Sequence, residues 1–327
     1  MGKLSYWRFI LNQWTTVPAV VHADLTGKTV VVIGANVGIG LEAVKHFAWM
    51  HPAHLILGCR DVAKGNEAAH EIVQESHCDA AVVDVWSIDL AEFASVECER
   101  LDLLILNAGM IPGSRSTTVD GWETCLQVND LSFVLLSLLL LPLLLKTTKE
   151  SGETPRIVTT ASDVHYWTSF DDDFTLQKLS SDTQFKPGIR YHDSKLLNVL
   201  FVHALNDRLR TSGPTVIVNA VNPGFCISQL HRNVESLTIR IYVALFAISA
   251  EKGSRAIVWT AITGGEDADE LRGGYIDFLC TLKEPSDFVL STQGQVIQNR
   301  VWDEVVEMLS SIDARVPGIV RDHLVSV

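Results

Sequence analysis

The sequence predicts an α/β fold, in which a doubly wound and mainly parallel sheet is flanked by helices on both faces. Short β-branched or apolar runs alternate with longer helical patterns, and this alternation builds such a sheet. Several runs, such as KTVVVI at residues 28–33, are apolar nearly throughout, as expected of strands covered on both faces. The predicted strands are residues 28–33, 54–57, 80–83, 102–106, 156–160, 215–221 and 275–279.

Helical patterns fill the intervals between these strands. The first begins after a glycine-rich turn, and the second begins at Asp61, a residue type that favours the N-cap position. The fourth carries the most apolar segment, residues 131–145. It is shorter than a membrane span and is interrupted by Ser137 and Pro142, so we predict a buried helix. The predicted helices are residues 38–50, 61–75, 90–99, 122–146, 190–210, 251–263 and 293–311.

No internal repeat or linker divides the chain, so we predict one domain over residues 26–327. Residues 1–25 precede the first strand and form an N-terminal extension rich in aromatic side chains. An acidic stretch, residues 171–186, looks like a surface insertion within residues 165–189, between the fifth strand and the next helix.

The charge of the chain limits its partners. It has 26 basic and 39 acidic residues, which gives a formal net charge of -13. Such a chain repels phosphate backbones and anionic membrane surfaces, so we expect no nucleic-acid partner. The cysteines lie far apart, which predicts reduced thiols and no metal site, and the N-terminus shows no secretory signal pattern, which favours a cytoplasmic location. The cysteines are Cys59, Cys78, Cys98, Cys125, Cys226 and Cys280.

A glycine-rich turn, GANVGIG at residues 34–40, follows the first strand and opens a helix. Glycines there allow a tight turn and let the backbone approach a pyrophosphate, whose charge is met by the helix N-terminus. Three glycines in this setting favour a dinucleotide site over an ordinary turn. The predicted cofactor contacts are Gly34, Asn36, Val37, Gly38, Ile39 and Gly40.

The end of the second strand bears on the choice between NAD(H) and NADP(H). A carboxylate there binds the ribose diol of NAD(H), whereas a cation pairs with the extra phosphate of NADP(H). The sequence offers both, because Arg60 precedes Asp61 and Lys64 lies one helical turn beyond. Since Asp61 is explained as an N-cap, we favour NADP(H), bound by Arg60 and Lys64.

Two further loops are predicted at the carboxyl ends of strands, where ligands bind in such sheets. Asp84 and Val85 follow the third predicted strand and are expected to meet the adenine, unless the aspartate merely caps the turn. Asn107, Ala108 and Gly109 follow the fourth strand, where small residues leave room for the cofactor. For Asn107 two interpretations stay open, a contact with the cofactor and a tie between neighbouring strands.

Tyr191 and Lys195 lie four positions apart in a helical pattern and therefore share one face. A free tyrosine has a pKa of about 10, and a nearby ammonium lowers it, which suits the phenol to proton exchange. Ser162, just after the fifth strand, is expected to hydrogen-bond a substrate oxygen. Asn129 is expected to hold a water near Lys195 and continue a proton path. His192 is predicted to project away from this face.

These motifs resemble the short-chain dehydrogenase/reductase family from about residue 26 to the C-terminus. The shared motifs are GANVGIG at 34–40, NAG at 107–109, VND at 128–130, IVTTAS at 157–162, YHDSK at 191–195 and NPG at 222–224. The resemblance implies a Rossmann-type fold and an oxidoreductase that moves a hydride between a nicotinamide and a carbonyl or secondary alcohol. It implies that Tyr191 exchanges the proton, that Lys195 lowers its pKa and holds the nicotinamide ribose, that Ser162 orients the substrate oxygen, and that Asn129 completes the relay.

The same resemblance implies that residues 223–228 wrap the nicotinamide end of the cofactor. The contacts expected there are Pro223, Gly224, Ile227 and Ser228, with Ser228 standing where the family usually has threonine. CRD at 59–61, SAEKG at 249–253 and GY at 274–275 resemble the NADP-preferring, retinol-dehydrogenase-like branch. Fungal members of that branch often serve in secondary metabolism.

Three departures from the family pattern matter. Ile33 replaces the threonine that usually opens the glycine turn, which is expected to loosen a structural hydrogen bond. Ala161 stands where a second serine is common. The gap between Ser162 and Tyr191 is longer than in the shortest members, and we expect the insertion at 171–186 to account for it and to lie over the substrate pocket.

The alternatives concern turnover, location and assembly. A sensor or scaffold that binds NADP without turnover is expected to lose Tyr191 or Lys195, so their retention favours an enzyme. The N-terminal stretch 3–14 either rests on a membrane as an interfacial helix or, as we favour, packs over the substrate cleft or the protein body. Residues 131–145 bury themselves either in the subunit or in a homodimer interface. The candidates for an apolar pocket, which implies a hydrophobic substrate, are Trp167, Phe170, Phe174, Phe185 and Phe225.

Overall fold

The computed structural model describes residues 9, 12, 14–92, 99–181, 184–209, 215–227, 230, 243, 245–263 and 269–327. The strands are β1 Thr29–Ile33, β2 His54–Cys59, β3 Val83–Ser87, β4 Leu103–Leu106, β5 Arg156–Thr160, β6 Ile217–Val221, β7 Tyr275–Ile276 and β8 Leu282–Lys283. Over the described residues they form one sheet in the order β3–β2–β1–β4–β5–β6–β7–β8, parallel throughout except between β7 and β8. The predicted α/β class with a Rossmann-type parallel sheet is confirmed.

The helices cover both faces of this sheet. They are α1 Gly38–Ala48, α2 Val62–Ser76, α3 Thr124–Ser151, α4 Leu176–Ser181, α5 Pro187–Arg208, α6 Ala250–Ile262, α7 Asp287–Leu290, α8 Thr292–Ile312 and α9 Val316–His323. Helices α1 and α6 pack together on one face, and α3 and α5 lie on the other beneath α8 and α9. Local chemistry sets several ends: Pro187 occupies the first turn of α5, and Gly152 closes α3 in the left-handed region. The predicted helix at 90–99 falls largely on residues 93–98, outside the described part of the chain.

The strand order reverses at β1, and this reversal positions the site. β1 pairs with β2 on one side and with β4 on the other, so the connections that follow these strands lead away in opposite directions. The carboxyl ends of β1 and β4 therefore border a crevice, which is where ligands bind in sheets of this kind.

Helix α3 is long and apolar enough to cross a membrane by length and composition, but 78% of its most apolar window is buried inside the fold. No residue between 131 and 145 is exposed, and side chains of α9, led by Val316, belong to the same apolar cluster as its leucines. The predicted buried helix is confirmed, and the subunit itself supplies the cover.

None of the described residues of the insertion at 171–186 lines the cleft, so the expectation that it lies over the pocket is wrong. It forms α4 and packs on α8, where Leu176 N donates to Glu304 Oε2 at 2.8 Å and Arg300 donates to the carbonyl oxygen of Phe174 at 3.1 Å. Phe170 and Phe174 stack on each other at 3.8 Å and are buried. Burial of these two rings against the C-terminal helices holds the insertion away from the crevice.

Candidate active site

A cleft of about 1190 Å³ opens at the carboxyl ends of the central strands. Most predicted site residues line it: Gly34, Asn36, Val37, Gly38, Ile39, Arg60, Lys64, Asn107, Ala108, Gly109, Ser162, Tyr191, Lys195, Pro223 and Gly224. Gly40, Asn129, Asp84, Val85 and Ile227 lie outside its lining, and Ser228 lies outside the described residues. The structure therefore brings the predicted cofactor-binding residues and the predicted catalytic residues Ser162, Tyr191 and Lys195 to one crevice.

The glycine turn is built by close backbone approach. Gly34 has a φ of +80°, and a Cβ placed there would lie 2.6 Å from Ala108 Cα. A Cβ on Gly40 would lie 2.1 Å from the carbonyl oxygen of Gly34, so Gly40 shapes the turn although it does not face the cleft. Helix α1 begins directly after this turn and has no side-chain cap at Val37, which leaves its first amides available to an anion.

Two cations stand at the end of β2. Arg60 and Lys64 are exposed and line the cleft. Asp61 caps α2 by accepting a hydrogen bond from Lys64 N at 3.2 Å, as predicted. Its second oxygen lies 3.5 Å from Lys64 Nζ. Asp61 lines the cleft together with Arg60 and Lys64, but its two carboxylate oxygens lie against Lys64 of its own helix.

The prediction for Asp84 and Val85 is wrong, because the third strand begins later than its apolar run suggests. Residues Ala80–Val82 form a 3-10 turn, and β3 starts at Val83, which places both side chains inside the strand. Asp84 is exposed, and Val85 packs towards Gly65 of α2. The strand instead delivers Ile88, Asp89 and Leu90 to the cleft.

Asn107 ties neighbouring strands together, which is one of its two predicted roles, and its contact with a cofactor stays a prediction. Its Nδ2 donates to the carbonyl oxygen of Gly34 at 3.1 Å, and its Oδ1 accepts from Thr160 Oγ1 at 3.4 Å. It thereby ties β1, β4 and β5 at their carboxyl ends while one side of it faces the cleft.

Tyr191, Ser162 and Lys195 meet at the inner end of the cleft. Tyr191 and Lys195 occupy one face of α5, with Lys195 Nζ 5.8 Å from the centre of the Tyr191 ring. Ser162 leaves β5 in extended conformation and caps the short 3-10 helix Asp163–Trp167. Ser162 and Tyr191 both line the cleft, and the Ser162 hydroxyl lowers the pKa of the Tyr191 phenol. A phenol, a hydroxyl and a buried ammonium are therefore assembled around one space.

The electrostatics differ from the expectation that Lys195 lowers the pKa of Tyr191. Burial raises the pKa of the Tyr191 phenol, the nearby thiols of Cys125 and Cys226 raise it further, and only the hydrogen bond with Ser162 lowers it. Burial also lowers the pKa of Lys195 to about 8. The ammonium donates to the carbonyl oxygen of Thr160 at 2.7 Å and to Asn198 Oδ1 at 3.1 Å, not to the phenol.

Asn129 is fully buried in a π-helical turn of α3, Gln127–Leu131, and does not reach the cleft. Its Oδ1 accepts a hydrogen bond from the backbone amide of Met110 at 2.9 Å. Its Nδ2 donates to the backbone carbonyl oxygen of Met110 at 3.0 Å and to Ser194 Oγ at 3.0 Å. The backbone carbonyl oxygen of Asn129 accepts a hydrogen bond from Asn198 Nδ2 at 2.7 Å. Asn198, which the sequence analysis did not single out, therefore stands between Lys195 and Asn129.

The family follows from two comparisons. A family model for short chain dehydrogenases matches residues 28–167. The short chain dehydrogenase/reductase dmxR8 of Cryptosporiopsis sp. is 33% identical over 319 residues, which cover 90% of this chain and 94% of that protein. The short chain dehydrogenase sol3 of Alternaria solani is 38% identical over 267 residues, covering 77% and 92%. The chain belongs to the short-chain dehydrogenase/reductase family.

Solved structures agree on the fold of this family member. An uncharacterised protein from Mycobacterium paratuberculosis is 24% identical with a TM-score of 0.68, covering 89% of this chain and 97% of that one. The RhlG/NADP active-site complex of Pseudomonas aeruginosa is 20% identical with a TM-score of 0.59, covering 78% and 95%. As a short-chain dehydrogenase/reductase, the chain is an oxidoreductase that acts on CH–OH or C=O groups with a nicotinamide cofactor.

The departures from the family pattern are absorbed locally. Ile33 supplies no hydroxyl, but its carbonyl oxygen accepts from the amides of Asn107 at 3.1 Å and Ala108 at 2.8 Å, which hold the turn against β4. Ala161 is buried, and its amide donates to the carbonyl oxygen of Val221 at 2.8 Å. Ser162 is consequently the hydroxyl of this pair that faces the cleft.

An aromatic wall lies beside Tyr191. Phe9 is buried, and its ring lies 5.3 Å from Trp167 and 6.4 Å from Phe225. His192 also lines the cleft, where the centre of its ring lies 5.9 Å from that of Trp167. Phe9 lines the cleft, but within the stretch 3–14 only residues 9, 12 and 14 are described, so whether the stretch packs on the protein or rests on a membrane stays a prediction. The other pocket candidates, Phe170, Phe174 and Phe185, do not line the cleft.

Proposed function

We propose that this chain is an NADP(H)-dependent oxidoreductase for a carbonyl or secondary alcohol of a hydrophobic small molecule, with Tyr191 as its acid and base. The observation that carries this proposal is that Tyr191, Ser162 and Lys195 line the same cleft, which begins at the glycine turn, with Lys195 Nζ 5.8 Å from the centre of the Tyr191 ring. Measurement of NADPH-linked turnover with a panel of hydrophobic ketones tests it, and a protein that binds NADPH but reduces none of them contradicts it.

The residues fit a nicotinamide dinucleotide. The turn at Gly34 and Gly40 has no room for side chains, and the uncapped start of α1 suits a pyrophosphate. Arg60 and Lys64 present positive charge where the sheet delivers the adenosine end, which suits a 2′-phosphate. The cofactor, when bound, supplies or accepts the hydride. The solved NADP complex of RhlG supports the choice of a nicotinamide ligand for this crevice.

The chain's own residues handle the proton. Ser162 Oγ and Tyr191 Oη converge on the space where a carbonyl oxygen would lie, so the serine orients that oxygen and the phenol protonates it. A raised pKa keeps the phenol protonated at neutral pH, which is the form that donates to a carbonyl. Lys195 stays as a buried cation one helical turn below.

The aromatic wall suggests the class of substrate. Phe9, Trp167 and Phe225 present ring faces and edges beside the proton donor, and Met110 and Ile111 also line the cleft. Such a lining favours an apolar, ring-containing ketone or alcohol over a small polar sugar. A retinol-dehydrogenase-like preference, a role in secondary metabolism and a cytoplasmic location are consistent with this proposal and stay predictions.

Replacement of Phe9 tests the contribution of the N-terminal stretch to this wall. Phe9→Leu removes the edge-to-face contact with Trp167, so we expect KM for bulky aromatic ketones to rise about fivefold. KM for NADPH and for a small aliphatic ketone should stay the same. The matched variant Phe174→Leu alters an equally buried ring outside the cleft, and should lower the melting temperature without changing any KM. An unchanged KM for aromatic ketones in Phe9→Leu would remove Phe9 from the substrate site.

We further propose that the protein acts as a monomer. The apolar segment at 131–145, which often forms a dimer interface in this family, is buried inside the subunit beneath α9. Light scattering after gel filtration should therefore give a mass near 36.1 kDa at micromolar concentration. A mass twice as large would show that another surface forms an interface.

A sensor or scaffold without turnover is the second candidate. It requires only the glycine turn and the cations, and it leaves Tyr191, Ser162 and Lys195 without a purpose. Their assembly in one cleft favours the enzyme.

A further inference from the structure

A series of hydrogen bonds between buried side chains leads from Lys195 away from the cleft. Asn198 lies on α5 one turn after Lys195 and is fully buried. Its Oδ1 accepts from Lys195 Nζ at 3.1 Å, and its Nδ2 donates to Asp130 Oδ1 at 3.0 Å and to the carbonyl oxygen of Asn129 at 2.7 Å. The side-chain amide of Asn198 therefore directs its oxygen towards the Lys195 ammonium and its nitrogen towards the Asp130 carboxylate. This orientation places the negative end of the amide dipole at the cation and the positive end at the anion.

The π-helical turn of α3 makes this arrangement possible. Its wider winding shifts Asn129 and Asp130 relative to a regular helix, and both present an acceptor to the same Asn198 nitrogen. Asp130 is only 2% exposed, so its carboxylate is enclosed in protein. An enclosed carboxylate is tolerated when it is hydrogen-bonded and set against a cation.

We propose that Asp130 is the counter-charge of Lys195 and that Asn198 is the positioning residue that joins them. This inference rests on the proposed function, because it assigns a purpose to the cation of that same site. Asp130 is not a catalytic residue in this view, since it touches neither the cleft nor Tyr191. It acts by keeping Lys195 protonated in a site that burial would otherwise neutralise.

The charges around the pair support this assignment. Burial lowers the pKa of Lys195 to about 8, and Asp130 and Cys125 oppose that effect. Burial raises the pKa of Asp130 to about 7, and Asn198 and Lys195 oppose it. Among the described residues, the titratable groups that face this cluster are Cys125 from the start of α3, whose thiol pKa burial raises to about 12, and Tyr191 from α5. Asp130 is therefore the carboxyl group that Asn198 joins to Lys195 by hydrogen bonds.

Neutral replacements of Asp130 test the proposal. Asp130→Asn keeps the shape and an acceptor for Asn198, and Asp130→Ser is smaller and also neutral. Loss of an opposing charge lowers the pKa of a cation by about one unit or more, so we expect the pH at which Lys195 deprotonates to fall by about one unit in both variants. The alkaline limb of the kcat profile should move by the same amount, with KM for substrate little changed.

The titration is read in two ways. The Cε signal of Lys195 in protein labelled with 13C-lysine, assigned by its loss in Lys195→Met, reports the charge without turnover. The control Asp102→Asn removes a buried carboxylate at the opposite end of β4, where it binds Thr29 N at 2.8 Å, and should leave the Lys195 titration unchanged.

Each outcome bears on one claim. Equal downward shifts in Asp130→Asn and Asp130→Ser support the pairing of charges. A Lys195 titration that is unchanged in either folded variant overturns it. Absence of any NADPH-linked turnover in the unmodified protein contradicts the proposed function instead, while the lysine titration still decides the pair.

Discussion

Replacement of Tyr191 by phenylalanine is expected to lower kcat by about 10²- to 10⁴-fold, the contribution that a positioned acid or base makes. The ring keeps its volume and its place beside Lys195, while the hydroxyl proposed to exchange the proton is lost. NADPH affinity, measured by fluorescence titration, should change little, because the cradle at the glycine turn is untouched. Steady-state rates with a hydrophobic ketone check the loss.

A matched variant separates the loss of this hydroxyl from the loss of any tyrosine hydroxyl. Tyr166 donates to the carbonyl oxygen of Glu284 and does not line the cleft, so Tyr166→Phe deletes the same atom from a structural contact. Its kcat should stay near that of the unmodified protein. If Tyr191→Phe kept more than a tenth of the activity, the proton would have to come from another group.

Local pattern was sufficient to predict the parts of the site that depend on helix period or on strand ends in the buried centre of the sheet. Tyr191 and Lys195 meet because positions four apart share a helix face, and Ser162 joins them because β5 ends where its apolar run ends. The glycine-rich turn likewise predicts that Gly34 and Gly40 have no room for a side chain. These features need only local chemistry and the order of the strands.

The edge of the sheet was harder to predict. β3 is an edge strand with partly exposed residues, so its true signal is the alternation in VDVWS and not the apolar run before it. The start of the strand was therefore placed too early, Asp84 and Val85 were assigned to the cleft, and Asp89 was missed. The part played by Asn198 was also out of reach, because it depends on a π-helical turn in a different helix. The insertion at 171–186 was misplaced for a similar reason, since the surface that buries Phe170 and Phe174 is formed by helices far along the chain.

Loss of Arg60 is expected to weaken NADPH selectively. A hydrogen bond between a guanidinium and a phosphate contributes about 1.5–3 kcal/mol, so Arg60→Ala should raise KM for NADPH about 10- to 100-fold. KM for NADH should change little, because NADH lacks the 2′-phosphate that Arg60 is proposed to bind. Lys64→Ala should have a smaller effect in the same direction, since its ammonium is already shared with Asp61. Both losses should shrink as ionic strength rises, because exposed charges are screened.

Two controls make this result specific. Arg321→Ala removes the same charge from an exposed ion pair with Asp322 on α9 and should leave both KM values unchanged. Asp61→Ala tests the competing NAD(H) interpretation. If Asp61 is only the cap of α2, this variant lowers the melting temperature and keeps its cofactor preference. A selective loss of NADH activity in Asp61→Ala, with Arg60→Ala indifferent to the 2′-phosphate, would assign the ribose to the carboxylate and make the enzyme NAD(H)-dependent.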